Sequence, residues 1–149
     1  MSKKVVFATD YSPGSEAVLR VAATLARQEG ATLLIAHVSM EEPYPVGESC
    51  HKEPRPNPAE LKRLESIVPP VADVPCEHRL LYGEPGSVDV TRPAEVLIKF
   101  AQQEQADMIV VGTHGRTGLS HALMGSVAET LVRRAPCVVV TVKLADNAT

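Results

Sequence analysis

Four glycines fall between positions 112 and 125 in the run Gly112-Thr113-His114-Gly115-Arg116-Thr117-Gly118-Leu119-Ser120-His121-Ala122-Leu123-Met124-Gly125-Ser126. Backbone without side chains can curl its amides around an anion and approach it closely. The run leaves the strand-type segment Asp107-Met108-Ile109-Val110-Val111 and enters a helix-type one. A helix start adds unpaired amides and a dipole that favours negative charge. Ser126 stands where a hydroxyl can cap that helix or reach a terminal phosphate. The chemistry on offer is phosphate binding, because a loop that only turned the chain would not require four glycines. Neither G-x-x-x-x-G-K-[ST] nor G-x-G-x-x-G is present.

Such a loop needs a scaffold, and strand and helix patterns alternate along the chain. Val5-Val6-Phe7-Ala8 reads as a first strand ended by Thr9-Asp10. Ser12-Pro13 then reads as an N-cap followed by proline at the first helical position, with Val18, Val21, Ala22, Leu25 and Ala26 at helical spacing before Gly30. Thr32 to Val38 is the second strand, and prolines at 43, 45 and 54 forbid a regular helix in the loop from Met40 to Arg55. Asn57-Pro58-Ala59-Glu60 signals a second helix, with Glu60 placed for a capping box and Pro69-Pro70 ending it. Cys76 to Leu81 is a polar-tolerant third strand suited to a sheet edge. After the turn cluster Gly83-Glu84-Pro85-Gly86, a third helix starting near Thr91-Arg92-Pro93 shows one apolar face of Val96, Leu97, Phe100 and Ala101. The fourth helix carries Val127, Leu131 and Val132, and Pro136 breaks it before the last strand, Cys137 to Val142. Five strands alternating with four helices imply parallel crossovers and a doubly wound α/β sheet in a single domain over residues 1–149.

Composition excludes several partner classes. Apolar residues make up 44% and charged residues 22%, the balance of an ordinary globular domain. Aromatics are only 3% with no Trp, and the net charge is -3, so neither base-stacking platforms nor a general basic surface suits nucleic acid. No segment approaches the roughly 18 apolar residues of a membrane span, and the apolar run after Lys3-Lys4 breaks too early for a signal peptide. Cys50, Cys76 and Cys137 are an odd number, which suits a reducing compartment, so the chain is expected to be cytoplasmic. Cys50-His51 and Cys76-Glu77-His78 supply ligand types that zinc accepts, but their spacing follows no ribbon or finger.

The longer glycine pattern, in which two residues separate Gly112 from Gly115 and nine separate Gly115 from Gly125-Ser126, resembles the ATP-binding signature of the universal stress protein family. The resemblance covers nearly the whole chain. It includes Ala8-Thr9-Asp10-Tyr11-Ser12, His37-Val38, Gly83-Glu84-Pro85, the approach from Ala106 to Gly112 and the ending from Pro136 to Val142. The connection Gly86 to Pro93 is insertion-like by comparison. The resemblance implies a five-stranded parallel sheet of order 3-2-1-4-5 with helices on both faces, Rossmann-like and similar to the adenine nucleotide alpha hydrolases. In open sheets of this kind the ligand sits beyond the carboxyl ends of the strands where the winding reverses.

The family's positions carry over residue by residue. Val38 matches the position whose backbone meets the adenine, and Thr9 and Asp10 match the strand-one tip beside ribose and phosphates. Asp10 would repel phosphate unless it binds ribose hydroxyls or a divalent cation, so it is the candidate for nucleotide-bound Mg2+ or Mn2+; it also suits a polar turn. Gly112, Gly115, Gly125 and Ser126 match the phosphate contacts, with a further amide at Val127. Met108 is a candidate for lining the base pocket from strand four, although an apolar residue on a central strand is more often simply core. Arg116 and His114 can donate to phosphate, and His37, inside an apolar strand, reads as a satisfied structural histidine. The expected ligand is therefore ATP, bound by a stress or signalling protein that dimerises through its C-terminal strand. The alternatives are a slow magnesium-dependent ATPase or phosphotransferase and a nucleotide-independent dimeric scaffold. With no residue standing out as a water-positioning base, at most slow ATP hydrolysis is expected.

Overall fold

The computed structural model describes residues 2–41, 55–83, 92–113 and 124–144. Its elements run β1 (Lys4–Ala8), α1 (Ser15–Glu29), β2 (Thr32–Val38), α2 (Pro58–Glu65), β3 (Cys76–Leu81), α3 (Pro93–Glu104), β4 (Met108–Gly112), α4 (Ser126–Arg134) and β5 (Val138–Val142). All neighbouring strands pair in parallel, in the order β3-β2-β1-β4-β5. The chain winds outward from β1 to β3 on one side and from β4 to β5 on the other, so the winding reverses between β1 and β4.

Because successive side chains of a strand point to opposite faces, the apolar runs are divided between two layers. Val5, Phe7, Leu33, Ile35 and Val110 pack with Ala22, Ala23 and Ala26 of α1 and Leu64 of α2. Val6, Leu34, Ala36, Ile109 and Val111 pack with Leu97, Phe100 and Ala101 of α3 and Leu131 of α4. Strands buried on both faces read as continuous apolar runs, which is why β1, β2 and β4 lack alternation. The edge strands β3 and β5 are only half covered, and Val138 is 58% exposed.

Several local expectations are corrected. Helix α1 does not start at Ser12-Pro13: Gly14 is its N-cap, with φ 92° and no side-chain cap. The Ser12 amide instead donates to Asp10 Oδ1 at 2.9 Å, Tyr11 takes φ 62°, and Ser15 N–H returns to the Ser12 carbonyl, so a turn occupies this stretch. At the other end Gly30, with φ 64°, lets Ala31 N–H reach the Ala26 carbonyl. Asn57 caps α2 through the Ala59 amide at 2.9 Å, but Glu60 does not close a capping box, because its carboxylate turns toward β2. Ser66 caps the end of α2 ahead of Pro69. Gly125, not Ser126, is the N-cap of α4, without a side-chain cap. Val132 is exposed on α4 and Ala128 is buried in its place. Cys137 lies just before β5.

Candidate functional site

At the winding reversal a cavity of about 310 Å³ opens beyond the carboxyl ends of the strands. Thr9, Asp10, Val38, Gly112, Gly125, Ser126 and Val127, all singled out from the sequence, line it together. Met108 does not: it begins β4, four residues and about 13 Å of strand rise from Gly112, and packs in the layer under α1. Its role is core. His114, Gly115 and Arg116 lie outside the described residues.

The β4 side of the mouth is tied by backbone bonds. Thr113 N–H donates to the Val142 carbonyl, extending the pairing with β5, and Gly125 N–H donates to the Thr113 carbonyl. The chain thus returns to the strand tip at the residue where α4 begins. The first-turn amides of a helix have no intrahelical acceptor, and Ser126, Val127 and Ala128 of α4 all line the cavity. Asp10 is the one carboxylate and His37 the one imidazole among the described lining residues, and no lysine or arginine is among them. Among the described residues, attraction for an anion at this part of the wall therefore comes from α4 amides and the helix dipole.

The β2 side offers backbone. Alternate residues of a parallel strand direct their N–H and C=O groups to opposite neighbours. The Ala36 carbonyl accepts Thr9 N–H, while Ser39 N–H donates to the Leu81 carbonyl of β3. By the same alternation Val38 presents its N–H and C=O on the β1 side, beyond Ala8 where β1 ends. Around it, Met40, Pro93, Leu97 and Val111 supply apolar wall. This side of the cavity thus pairs an apolar wall with a hydrogen-bonding backbone edge.

The β1 tip is braced from below. Thr9 is buried, its Oγ1 accepts the Tyr11 amide at 3.0 Å, and its carbonyl accepts from His37 Nδ1 at 2.7 Å. His37 is buried as a bonded histidine, as its apolar strand implied, and it also lines the cavity. Ser12, Ser15, Met40 and Thr113 also stand in the wall, beyond the candidates that sequence singles out. Ser12 stood inside the quoted Ala8 to Ser12 motif, whereas Ser15 and Met40 carry no local signal. Zinc finds no support among the described residues, which hold no group of three or more possible ligands. His78 Nε2 donates to the Ile67 carbonyl at 2.7 Å. Cys50 and His51 lie outside the described residues. No helix among the described residues is long and apolar enough to cross a membrane.

Comparison with known proteins agrees with this geometry. Residues 1–143 match the model of the universal stress protein family. A universal stress protein from Thermus aquaticus, encoded in the 3' region of a QAH/OAS sulfhydrylase, is 33% identical over 146 residues, covering 96% of this chain and 100% of that one. Among solved structures, a universal stress protein in complex with cAMP superposes with a TM-score of 0.64 at 23% identity, covering 97% and 98% of the two chains. The Archaeoglobus fulgidus universal stress protein in complex with dAMP gives 0.56 at 22% identity, covering 95% and 97%. The family match over nearly the full length, on a sheet of order 3-2-1-4-5, establishes that this chain belongs to the universal stress protein family.

Proposed function

We propose that this chain binds an adenine nucleotide, ATP with magnesium, in the cleft between the tips of β1 and β4, and acts as a nucleotide-responsive dimer. The observation that carries the reading is the convergence on one cavity of the Val38 backbone edge and the α4 amides. One end suits a base and the other a phosphate chain. That two proteins of this fold were solved with cAMP and dAMP supports the class of ligand. Adenine would lie against Val38, ribose beside Thr9 and Asp10, and phosphates against Gly112, Gly125, Ser126 and Val127, with Gly115, His114 and Arg116 completing the loop. Asp10 is the single carboxylate among the described lining residues, so a divalent cation would be held chiefly by the nucleotide's own phosphates with Asp10 as one protein ligand.

Pairing of two copies along β5 is part of the reading. The strand ends the sheet, no described strand pairs with its outer edge, and Val138 is exposed there. Such an edge is normally covered or paired.

The test is calorimetric titration with ATP and with AMP, with and without magnesium, on nucleotide-stripped protein and a Ser126→Asp variant. A carboxylate in the first turn of α4 suits the helix dipole and should raise stability by about 0.5 kcal/mol. It opposes phosphate, so ATP affinity should fall at least about ten-fold, some 1.4 kcal/mol. Opposite signs separate a site effect from misfolding. A folded wild-type protein that binds no adenine nucleotide would refute the reading and favour an interaction scaffold.

A further inference from the structure

Met40, two residues past the end of β2, is 53% exposed and lines the cavity together with Val38. A scattered exposed apolar side chain is ordinary on a protein surface. Val68, Val132 and Val138 are exposed large hydrophobics too, but none of them lines the cavity. Both neighbours of Met40 are also pinned. Ser39 is buried, and its amide donates to the Leu81 carbonyl at 2.8 Å. Its hydroxyl donates to Glu60 Oε2 at 2.9 Å and accepts the Glu41 amide at 3.1 Å. The Glu41 carboxylate in turn accepts from Nδ2 of Asn57, the N-cap of α2, at 3.1 Å. The Met40 backbone is thus held between β3 and α2, while its thioether stands at the cavity mouth, half open to solvent.

Two properties of a thioether meet at this place. Its sulfur is polarisable and packs favourably against an aromatic ring about 5 Å away, so Met40 offers a contact to a base whose edge meets the Val38 backbone. The same sulfur is open to a peroxide, which converts the apolar thioether into a polar sulfoxide. In that step a sulfur lone pair attacks one peroxide oxygen, the O–O bond breaks and an S–O bond forms. The displaced hydroxide takes the remaining proton and leaves as water. Reversal by a methionine sulfoxide reductase consumes two thiols and yields a disulfide and water. Met108 packs in the layer under α1 and Met124 against the layer under α3 and α4, and both are half-buried.

We propose that Met40 is a redox-modifiable contact at the base end of the cleft: its thioether packs on the bound nucleobase, and oxidation to the sulfoxide by a peroxide weakens the hold on the nucleotide. This rests on the nucleotide reading of the cleft and adds a regulation to it. The sulfoxide puts a hydrated oxygen into a wall shared with Pro93 and Leu97, and that oxygen must shed its water to admit the base. Bound nucleotide in turn covers the sulfur and slows its oxidation, because the reaction needs access.

Two measurements on the whole chain test this. In the first, protein treated with hydrogen peroxide, then with dithiothreitol to return reversibly oxidised cysteine to thiol, is titrated calorimetrically with magnesium-ATP. Wild-type affinity should fall at least about five-fold, and methionine sulfoxide reductases A and B should restore it. Met40→Leu keeps an aliphatic wall but offers no sulfur, so the same treatment should change its own starting affinity by less than about two-fold. In the second, peptide mass spectrometry of the wild type should show Met40 oxidised faster than Met108. Saturating magnesium-ATP should slow oxidation at Met40 at least about three-fold and leave the rate at Met108 unaltered. An equal loss of affinity in both proteins, an oxidised wild type that binds as tightly as the reduced one, or a Met40 rate indifferent to nucleotide each overturns the proposal. Reduced wild type that binds no adenine nucleotide overturns it together with the nucleotide reading, whereas binding accompanied by any of those three results overturns this inference alone.

Discussion

Leu144, two residues past the end of β5, packs against Gly14 at the start of α1: a Cβ built on Gly14 would meet Leu144 Cδ1 at 2.9 Å. Gly14 also has φ 92°, which L side chains rarely adopt. Leu144 lines the cavity, so this contact joins the N-terminus of α1 to the cavity wall. Gly14→Ala should cost about 1–3 kcal/mol from backbone strain plus displacement of the flexible Leu144 end. Gly30→Ala, at φ 64° with nothing within 4 Å, should cost only the strain of the left-handed region, about 1–2 kcal/mol. Denaturant midpoints of the two variants, and of Gly14→Ala combined with Leu144→Ala, check the difference. Equal losses in both single variants would show that Leu144 yields freely.

Leu64 is the one fully buried side chain of α2, and it anchors the helix that carries Glu60. Leu64→Ala should destabilise the protein by about 2–5 kcal/mol through lost burial and the residual cavity. A loss below 1 kcal/mol in urea unfolding would mean that α2 contributes little to the cooperative unit.

Glu104 on α3 and Lys4 on β1 form a 2.9 Å ion pair. The hydrogen bond from Lys4 holds the Glu104 carboxyl below the usual carboxylate range. A depressed folded-state pKa stabilises the protein above the unfolded value of about 4.3, and this contribution disappears as pH falls through the folded value. Both side chains are about a quarter to a third exposed, so the effect should stay below about 1 kcal/mol. Lys4→Met should be less stable than wild type at pH 7, with the gap closing toward pH 3. A gap that persists unchanged at pH 3 would assign the loss to packing of the lysine stem.

Burial raises the pKa of the Cys137 thiol. The reactive thiolate is therefore scarcer at pH 7.5 than in a free thiol. Alkylation of Cys137 by iodoacetamide, followed by peptide mass spectrometry, should run at least about three-fold slower than that of glutathione, and its rate should keep rising beyond the pH at which glutathione levels off. Parity with glutathione would mean that the residue is more open in solution than the sheet edge implies.

Much of this protein is legible in its sequence. Strand-type runs bounded by turn residues located β2 at Thr32–Val38 and β3 at Cys76–Leu81 to the residue. Helix α3 is predicted near Thr91-Arg92-Pro93 and starts at Pro93. Local signals succeed there because proline, glycine and apolar periodicity act within one element. They fail where a distant partner competes for the same group. Ser12 reads as a cap until Asp10 takes its amide and turns the chain, and Glu60 reads as a capping-box acid until Ser39 and His37 draw it to β2.

The sequence by itself determined the alternating α/β elements, the glycine run before α4 and the residues Thr9, Asp10, Val38 and Gly112 as candidates, because those follow from residue type, order and resemblance. Only the tertiary structure decided which of them meet. The parity of β2 turns the Val38 backbone toward the open tip of β1, and the register of β4 sends Met108 to the closed end of the sheet. Pairing register and winding are properties of several strands packed at once. Elements separated by the whole length of the chain converge at the winding reversal because parallel strands bring all their carboxyl ends to one rim.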